Sequence, residues 1–164
     1  MKKISLQQKK RWLPPYFKTT YFRLLLNFYI PFLGAGIEVT NITKDFRRFD
    51  VRMKLRLYNR NFVFTHFGGS LYAMSDPFYM FILMENLGEK YIVWDKAAKI
   101  DFVKPGAGTV YATFEVNEEE LNSIKQEVKA KGKMNKIFHC EVKSETGEVI
   151  ARVEKVLYIR KLKE

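Results

Sequence analysis

The sequence predicts an α+β fold: a curved, mostly antiparallel sheet wrapped around a central apolar helix, with an extra N-terminal helix ahead of it. Three observations carry this expectation. From Phe49 to Leu57 apolar and charged residues alternate strictly, the pattern of a strand with one face in the core and the other in water. Apart from Ser75, Asp76 and Pro77, the run Leu71 to Met84 carries only apolar and aromatic side chains, which describes a helix enclosed on nearly every side. Beyond it, two pairs of strand-like runs are each joined by a turn-rich segment.

A chain of 164 residues with 47% apolar and 15% aromatic content is long enough for one substantial core. The expected layout is residues 1–36 as a helical extension packed on a domain formed by residues 37–164. Cys140 is the single cysteine, so no intrachain disulfide is available, and two histidines without cysteine partners argue against a structural zinc site. Free-thiol usage of this kind points to the cytoplasm, and no metal is expected. The net charge of +11 favours phosphates, nucleic acid or an anionic membrane as contacts. Much of it lies near the ends, in Lys2, Lys3, Lys9, Lys10, Arg11, Arg160, Lys161 and Lys163, where solvated tails are the preferred reading over an acidic partner. No nucleic-acid recognition motif accompanies the charge, so no nucleic-acid partner is expected.

Taken in order, the first element is the apolar stretch Tyr21 to Gly36. Arg23, Asn27 and Pro31 interrupt it well short of the ~20 residues that cross a bilayer, so it reads as an amphipathic helix on the core, with peripheral membrane contact as the alternative. Ile37 to Ile42 then pairs with Phe49 to Leu57 across Thr43-Lys44-Asp45. The central helix is expected from Gly69 to Leu87, kinked where Pro77 removes an N–H and frees the Ala73 carbonyl. Tyr91 to Val103 and Val110 to Val116 flank the turn Lys104 to Gly108. Asn117 caps a helix with Glu120 at its third position and Leu121, Ile124 and Val128 as its apolar stripe, and Gly132 ends it. Met134 to Lys143 and Glu148 to Arg160 close the chain around Ser144-Glu145-Thr146-Gly147.

Chemistry concentrates between Asn61 and Asp76. A polar loop runs through Gly68 and Gly69 into the apolar helix, and the N–H groups of that first turn have no intrahelical acceptor. They can face a carbonyl oxygen or a developing oxyanion, aided by the helix dipole, with Gly69 as the expected donor. Asp76 is an acid in apolar surroundings beside Pro77. Cys140 falls in a strand pattern, as a small core residue does.

The order of elements resembles the hotdog fold. Asn61, Phe67-Gly68-Gly69 and Asp76 stand at the spacing of the Asn, His-Gly-Gly and Asp motif of phenylacetyl-CoA-type acyl-CoA thioesterases, and Lys99-Ile-Asp-Phe-Val-Lys-Pro105 is similar to that family's next segment. The resemblance spans roughly residues 37–160 and points to a thioesterase-like branch of uncharacterised function. One departure stands out: Phe67 occupies the place of the motif histidine, and His66 is displaced by one residue, so its side chain leaves in another direction.

The resemblance implies a homodimer, or a tetramer of two such pairs, in which Asp76 of one chain meets Gly69 of the other around an acyl-CoA or acyl-carrier-protein thioester. Asp76 would activate water or attack the thioester, Gly69 would hold the oxyanion, and Asn61 would orient water or substrate. His66, Gly68, Ser70 and Lys104 are the expected substrate contacts, Lys104 through a coenzyme A phosphate. No cofactor is implied beyond the coenzyme A of the substrate. The competing expectation is a noncatalytic acyl-CoA or lipid-binding protein, regulatory or membrane-associated.

Overall fold

The computed structural model describes residues 15–162; the expectations placed on Lys2, Lys3, Lys9, Lys10, Arg11 and Lys163 lie outside them. Within that span the chain runs α1 (Pro15–Asn27), α2 (Ile30–Ala35), β1 (Ile37–Ile42), β2 (Arg48–Lys54), α3 (Gly68–Ala73), α4 (Phe78–Leu87), β3 (Tyr91–Phe102), β4 (Thr109–Glu115), α5 (Glu118–Lys131), β5 (Lys133–Ser144) and β6 (Val149–Lys161). The strands form one six-stranded sheet in the order β1-β2-β4-β5-β6-β3, and every pairing is antiparallel. This is the hotdog fold, with a helical segment added at the N-terminal side.

The core explains why the helix needs several strands. No residue of α4 is exposed, and Phe78, Ile82 and Leu83 are fully buried. The Phe78 ring stacks on Phe114 of β4 at 4.7 Å, and Tyr79 stacks on Phe138 of β5 at 4.5 Å, so α4 is gripped by strands from both halves of the sheet. Phe22 from α1 completes the cluster against Phe46, Phe49 and Phe81. A fully buried phenylalanine such as Phe49, Phe78 or Phe114 contributes about 1.5–3 kcal/mol over an exposed one. Asn117 caps α5 as its sequence implies, accepting the Glu120 N–H at 2.7 Å, while the Glu120 carboxylate turns to Lys136 instead of completing the reciprocal box.

Three local expectations change. The N-terminal segment forms two helices: α1 ends at Asn27, and Pro31 sits in the first turn of α2, where its missing N–H costs nothing. The alternating strand stops at Lys54, and Leu57 is left exposed in the following loop. The central helix is broken rather than kinked. After Ala73 the chain closes in turns, Ser75 N–H to the Tyr72 carbonyl and Asp76 N–H to the Ala73 carbonyl, and α4 restarts behind Pro77. Proline cannot follow Ala73 in one continuous helix, because its ring collides with that carbonyl.

The two edges of the sheet differ. β1 is covered by α1: the Asn27 side chain accepts from Val39 N–H at 2.7 Å and donates to the Val39 carbonyl at 3.1 Å, and Arg23 donates to the Thr40 carbonyl. A helix side chain thus takes the place of a neighbouring strand. β3, at the opposite edge, is twelve residues long and exposes Lys96, Ala97, Ala98 and Lys99.

Candidate active site

The loop before α3 is organised by Asn61. Its Oδ1 accepts from the N–H groups of Val63 and Thr65, and its Nδ2 donates to Thr65 Oγ1 at 2.9 Å. These bonds fold the loop onto itself, with Phe64 held at a φ of 64°. His66 then turns inward. It is 3% exposed, and its Nε2 lies 3.0 Å from the Gly108 carbonyl. A carbonyl only accepts, so Nε2 carries the proton, and the buried Nδ1 is left without a partner. Burial holds the His66 imidazolium below its ordinary value, with the Gly108 bond opposing weakly.

With His66 inside, Phe67 points out and folds back over the glycines. A Cβ on Gly69 would lie 2.5 Å from the Phe67 ring, and one on Gly68 would lie 3.0 Å from Phe102 at the end of β3. The paired glycines therefore let two aromatic rings close on the start of α3. Gly69 is exposed and Ser70 is buried in the same turn. The Gly68 and Gly69 amides occupy first-turn positions that have no intrahelical acceptor.

The break between α3 and α4 presents Asp76. Its side chain is 45% exposed, and Oδ1 accepts from Lys155 Nζ at 2.7 Å. The acid is thus open to water and ion-paired, not sealed among apolar groups. Lys155 belongs to the inward face of β6, between Val153 and Leu157, and is 1% exposed. Its ammonium also lies 3.0 Å from Asp95 Oδ1, an ion-pair distance without hydrogen-bond alignment, and 5.4 Å from the centre of the Tyr72 ring. Asp95 comes from β3 next to a bulge, where the register against β6 slips between Asp95 and Ala97.

Burial pushes the Lys155 ammonium down, but its hydrogen bond to Asp76 and the charges of Asp76 and Asp95 outweigh this and hold it above the ordinary lysine value. Asp95 is pushed up, first by burial and further by the charge of Asp76, against the pull of Lys155. Tyr72 is likewise raised, chiefly by burial. The result is a cationic anchor under an accessible carboxylate, an arrangement that can fix the direction in which Asp76 receives a proton.

The structure brings Asp76 together with residues from β3 and β6, while Asn61, His66, Gly68, Gly69 and Ser70 form a separate stretch at the start of α3. Lys104 lies outside both, ion-paired with Glu148 on the surface. Cys140 is buried, and burial raises its thiol to about 12, so it stays protonated. A cleft of about 620 Å³ opens on the opposite face of the sheet, lined by Tyr111, Thr113, His139, Glu141 and Arg152. It does not reach the Asp76 side. Lys155 and Asp95 went unread in the sequence, although a lysine in the inward parity of Val153, Leu157 and Ile159 marks the place. Among the described residues no cluster of metal-ligating side chains occurs, and no helix is long and apolar enough to cross a membrane.

Comparison with known proteins agrees with the architecture. A family model described as a domain of unknown function, DUF4442, matches residues 18–159. The fold is similar to that of a Pseudomonas aeruginosa protein of unknown function described as a probable thioesterase, at 17% identity and a TM-score of 0.76, covering 87% of this chain and 95% of that one. It is similar to a thioesterase from Haemophilus influenzae at 13% identity and a TM-score of 0.64, covering 89% and 92%. The E. coli PaaI protein from the phenylacetic acid degradation operon aligns at 16% identity and a TM-score of 0.60, covering 97% of each chain. At these identities the likeness is one of fold. No curated protein matches the sequence.

Proposed function

The chain belongs to the DUF4442 family, and from that premise we propose that it binds a fatty or aromatic acyl thioester, of coenzyme A or an acyl-carrier protein, and hydrolyses it at a site completed by a second copy. The observation that carries this reading is the half-exposed Asp76 carboxylate held from below by the buried Lys155 ammonium. Water, polarised by Asp76, adds to the thioester carbonyl while the C–S bond breaks; Asp76 takes the proton from water and passes it to the departing thiolate. Lys155 is a positioning residue, and Gly69 of the partner subunit donates its N–H to the oxyanion. Asn61, which shapes the loop, and His66, which ties that loop to Gly108, act by setting where the glycine amides point. Gly68 and Ser70 line the same turn, and Lys104 reaches a coenzyme A phosphate by leaving Glu148.

Pairing is supported by the edges of the sheet. α1 occupies the β1 edge, whereas β3 is open, and two copies joined along β3 form a homodimer with one continuous sheet. Pairs of dimers give a tetramer. The reaction needs no cofactor beyond coenzyme A in the substrate, and the single buried thiol suits a reducing, cytoplasmic compartment.

Phe67, folded over Gly69 where the motif has histidine, favours a second reading: acyl-thioester binding without turnover. Thiol release from a panel of short, long and aromatic acyl-CoAs separates the two. Turnover that disappears in Asp76→Asn supports hydrolysis; tight binding with no turnover by the wild type supports the binder. Light scattering measures the oligomeric mass directly.

A further inference from the structure

Helix α1 is apolar on both faces. Phe22 and Leu26 point into the core, and Tyr21, Leu24, Leu25 and Phe28 form a second stripe at i, i+3, i+4 and i+7 that points outward and is exposed. Phe28 continues the helical turn through its N–H to the Leu24 carbonyl. The stripe extends into α2 through Ile30, 80% exposed, and Leu33. A helix that only packed on a domain would carry polar residues on that side.

The corner between the two helices is braced. Asn59, buried in the loop after β2, donates from Nδ2 to the carbonyls of Ala35 and Lys54 and accepts the Arg56 N–H at 2.7 Å. Gly36 makes room for this amide, since a Cβ there would lie 2.4 Å from Asn59 Nδ2. Leu57 and Tyr58, which lie between Arg56 and Asn59 in this brace, are also exposed. The apolar surface is therefore a fixed part of the fold, well beyond scattered single residues.

Charge identifies what covers it. From Met1 to Ile37 the sequence has no acidic residue, and it carries Lys2, Lys3, Lys9, Lys10, Arg11, Lys18 and Arg23, most of the net +11 of the chain. Five of these come before α1 in the sequence. A second copy carries the same cationic charge, so like-charge repulsion opposes self-pairing through this face. An anionic lipid surface takes both features at once: apolar side chains enter the headgroup boundary, tyrosines sit at its level, and lysines gain roughly fivefold in affinity each near the surface.

We propose that this chain docks peripherally on anionic membranes through the outer face of α1 and α2, with the net positive charge of the chain as the electrostatic half of the attraction. The proposal stands independently of the acyl-thioester reading. Its test is sedimentation of the full chain with vesicles of phosphatidylcholine alone and of phosphatidylcholine with phosphatidylserine. The expected result is binding to the mixed vesicles, at least about tenfold weaker binding to the neutral ones, and loss with added salt. The triple variant Leu24→Ser, Phe28→Ser, Ile30→Ser should lose about tenfold or more on the mixed vesicles while keeping its circular dichroism and melting temperature. Wild-type protein that ignores the mixed vesicles overturns the proposal. So does a triple variant that binds like the wild type, which would leave charge alone at work, or one whose only change is a lower oligomeric mass, which would assign the face to a second copy.

Discussion

Lys155 Nζ and Asp76 Oδ1 lie 2.7 Å apart across 79 residues of sequence, the lysine buried to 1% exposure and the aspartate open to 45%. One partner is fixed by the sheet, and the other faces whatever solvent or ligand comes to the helix break.

Asp76→Asn should lower kcat for any acyl-CoA hydrolysed by about 10²–10⁴-fold, with the oligomeric mass unchanged. Lys155→Met should lower kcat with little change in KM, because it loosens Asp76 without removing it. Its stability cost should fall below the ~3–5 kcal/mol of breaking a fully buried pair, since Asp76 and Asp95 both keep contact with water. Steady-state kinetics and urea melts read both effects; a Lys155→Met variant with wild-type kcat would remove Lys155 from the proposed mechanism.

Gly69→Ala separates folding from function. Gly69 lies in a helix at negative φ, so alanine suits the backbone and brings up to about 1 kcal/mol of helix propensity. The new methyl would nevertheless strike the Phe67 ring, which is exposed and free to swing away. The expected variant melts at or near the wild-type temperature but binds acyl-CoA more weakly in calorimetry. Unaltered affinity would show that the Phe67 position is irrelevant to the ligand.

His66 ties stability to pH on the acid side. Its folded value is held below the ordinary 6.5 by burial, so the unfolded chain takes up the proton first. The stability this linkage confers is complete above 6.5 and is lost as the pH falls toward the folded value. Urea midpoints at about pH 7.5 and about pH 5.5 should differ, and His66→Gln, which keeps a donor for Gly108, should narrow the difference. An equal fall in wild type and variant would place the acid sensitivity elsewhere.

Asp95 works in the opposite sense. Its folded value is raised above the usual carboxylate range, so ionising it costs stability as the pH climbs from the ordinary 3.8 through the folded value. At neutral pH Asp95→Asn should therefore be at least as stable as the wild type, because Lys155 keeps Asp76. The carboxyl carbon chemical shift of Asp95 gives its titration midpoint, and a midpoint at or below 3.8 contradicts the account.

How much of this was legible depended on whether the signal was local. The Asn117 cap, the alternation from Phe49 to Met53 and the hairpin at Gly147 are set by neighbours in sequence, and they stand where the residues place them. Pro77 was visible, but an apolar run on both sides of it suggested one kinked helix; only the collision with Ala73 in three dimensions makes two. Asp76 was conspicuous, whereas its partner was hidden by distance. Nothing near Lys155 in sequence points to Asp76, and the bulge that lets Asp95 approach arises from strand pairing. The inward bonding of His66 to Gly108 likewise depends on where the turn after β3 falls back on the loop.

The amide of Asn27 on Val39 has a bearing on how copies of this chain can associate. A protein starting at Ile37 would present two open strands at opposite sides of one sheet. Joining at a single side closes a twofold pair and stops; joining at both sides repeats without end, and the product is a fibril. Helix α1, bonded to β1 through Asn27 and Arg23, thereby leaves the sheet one open side in place of two.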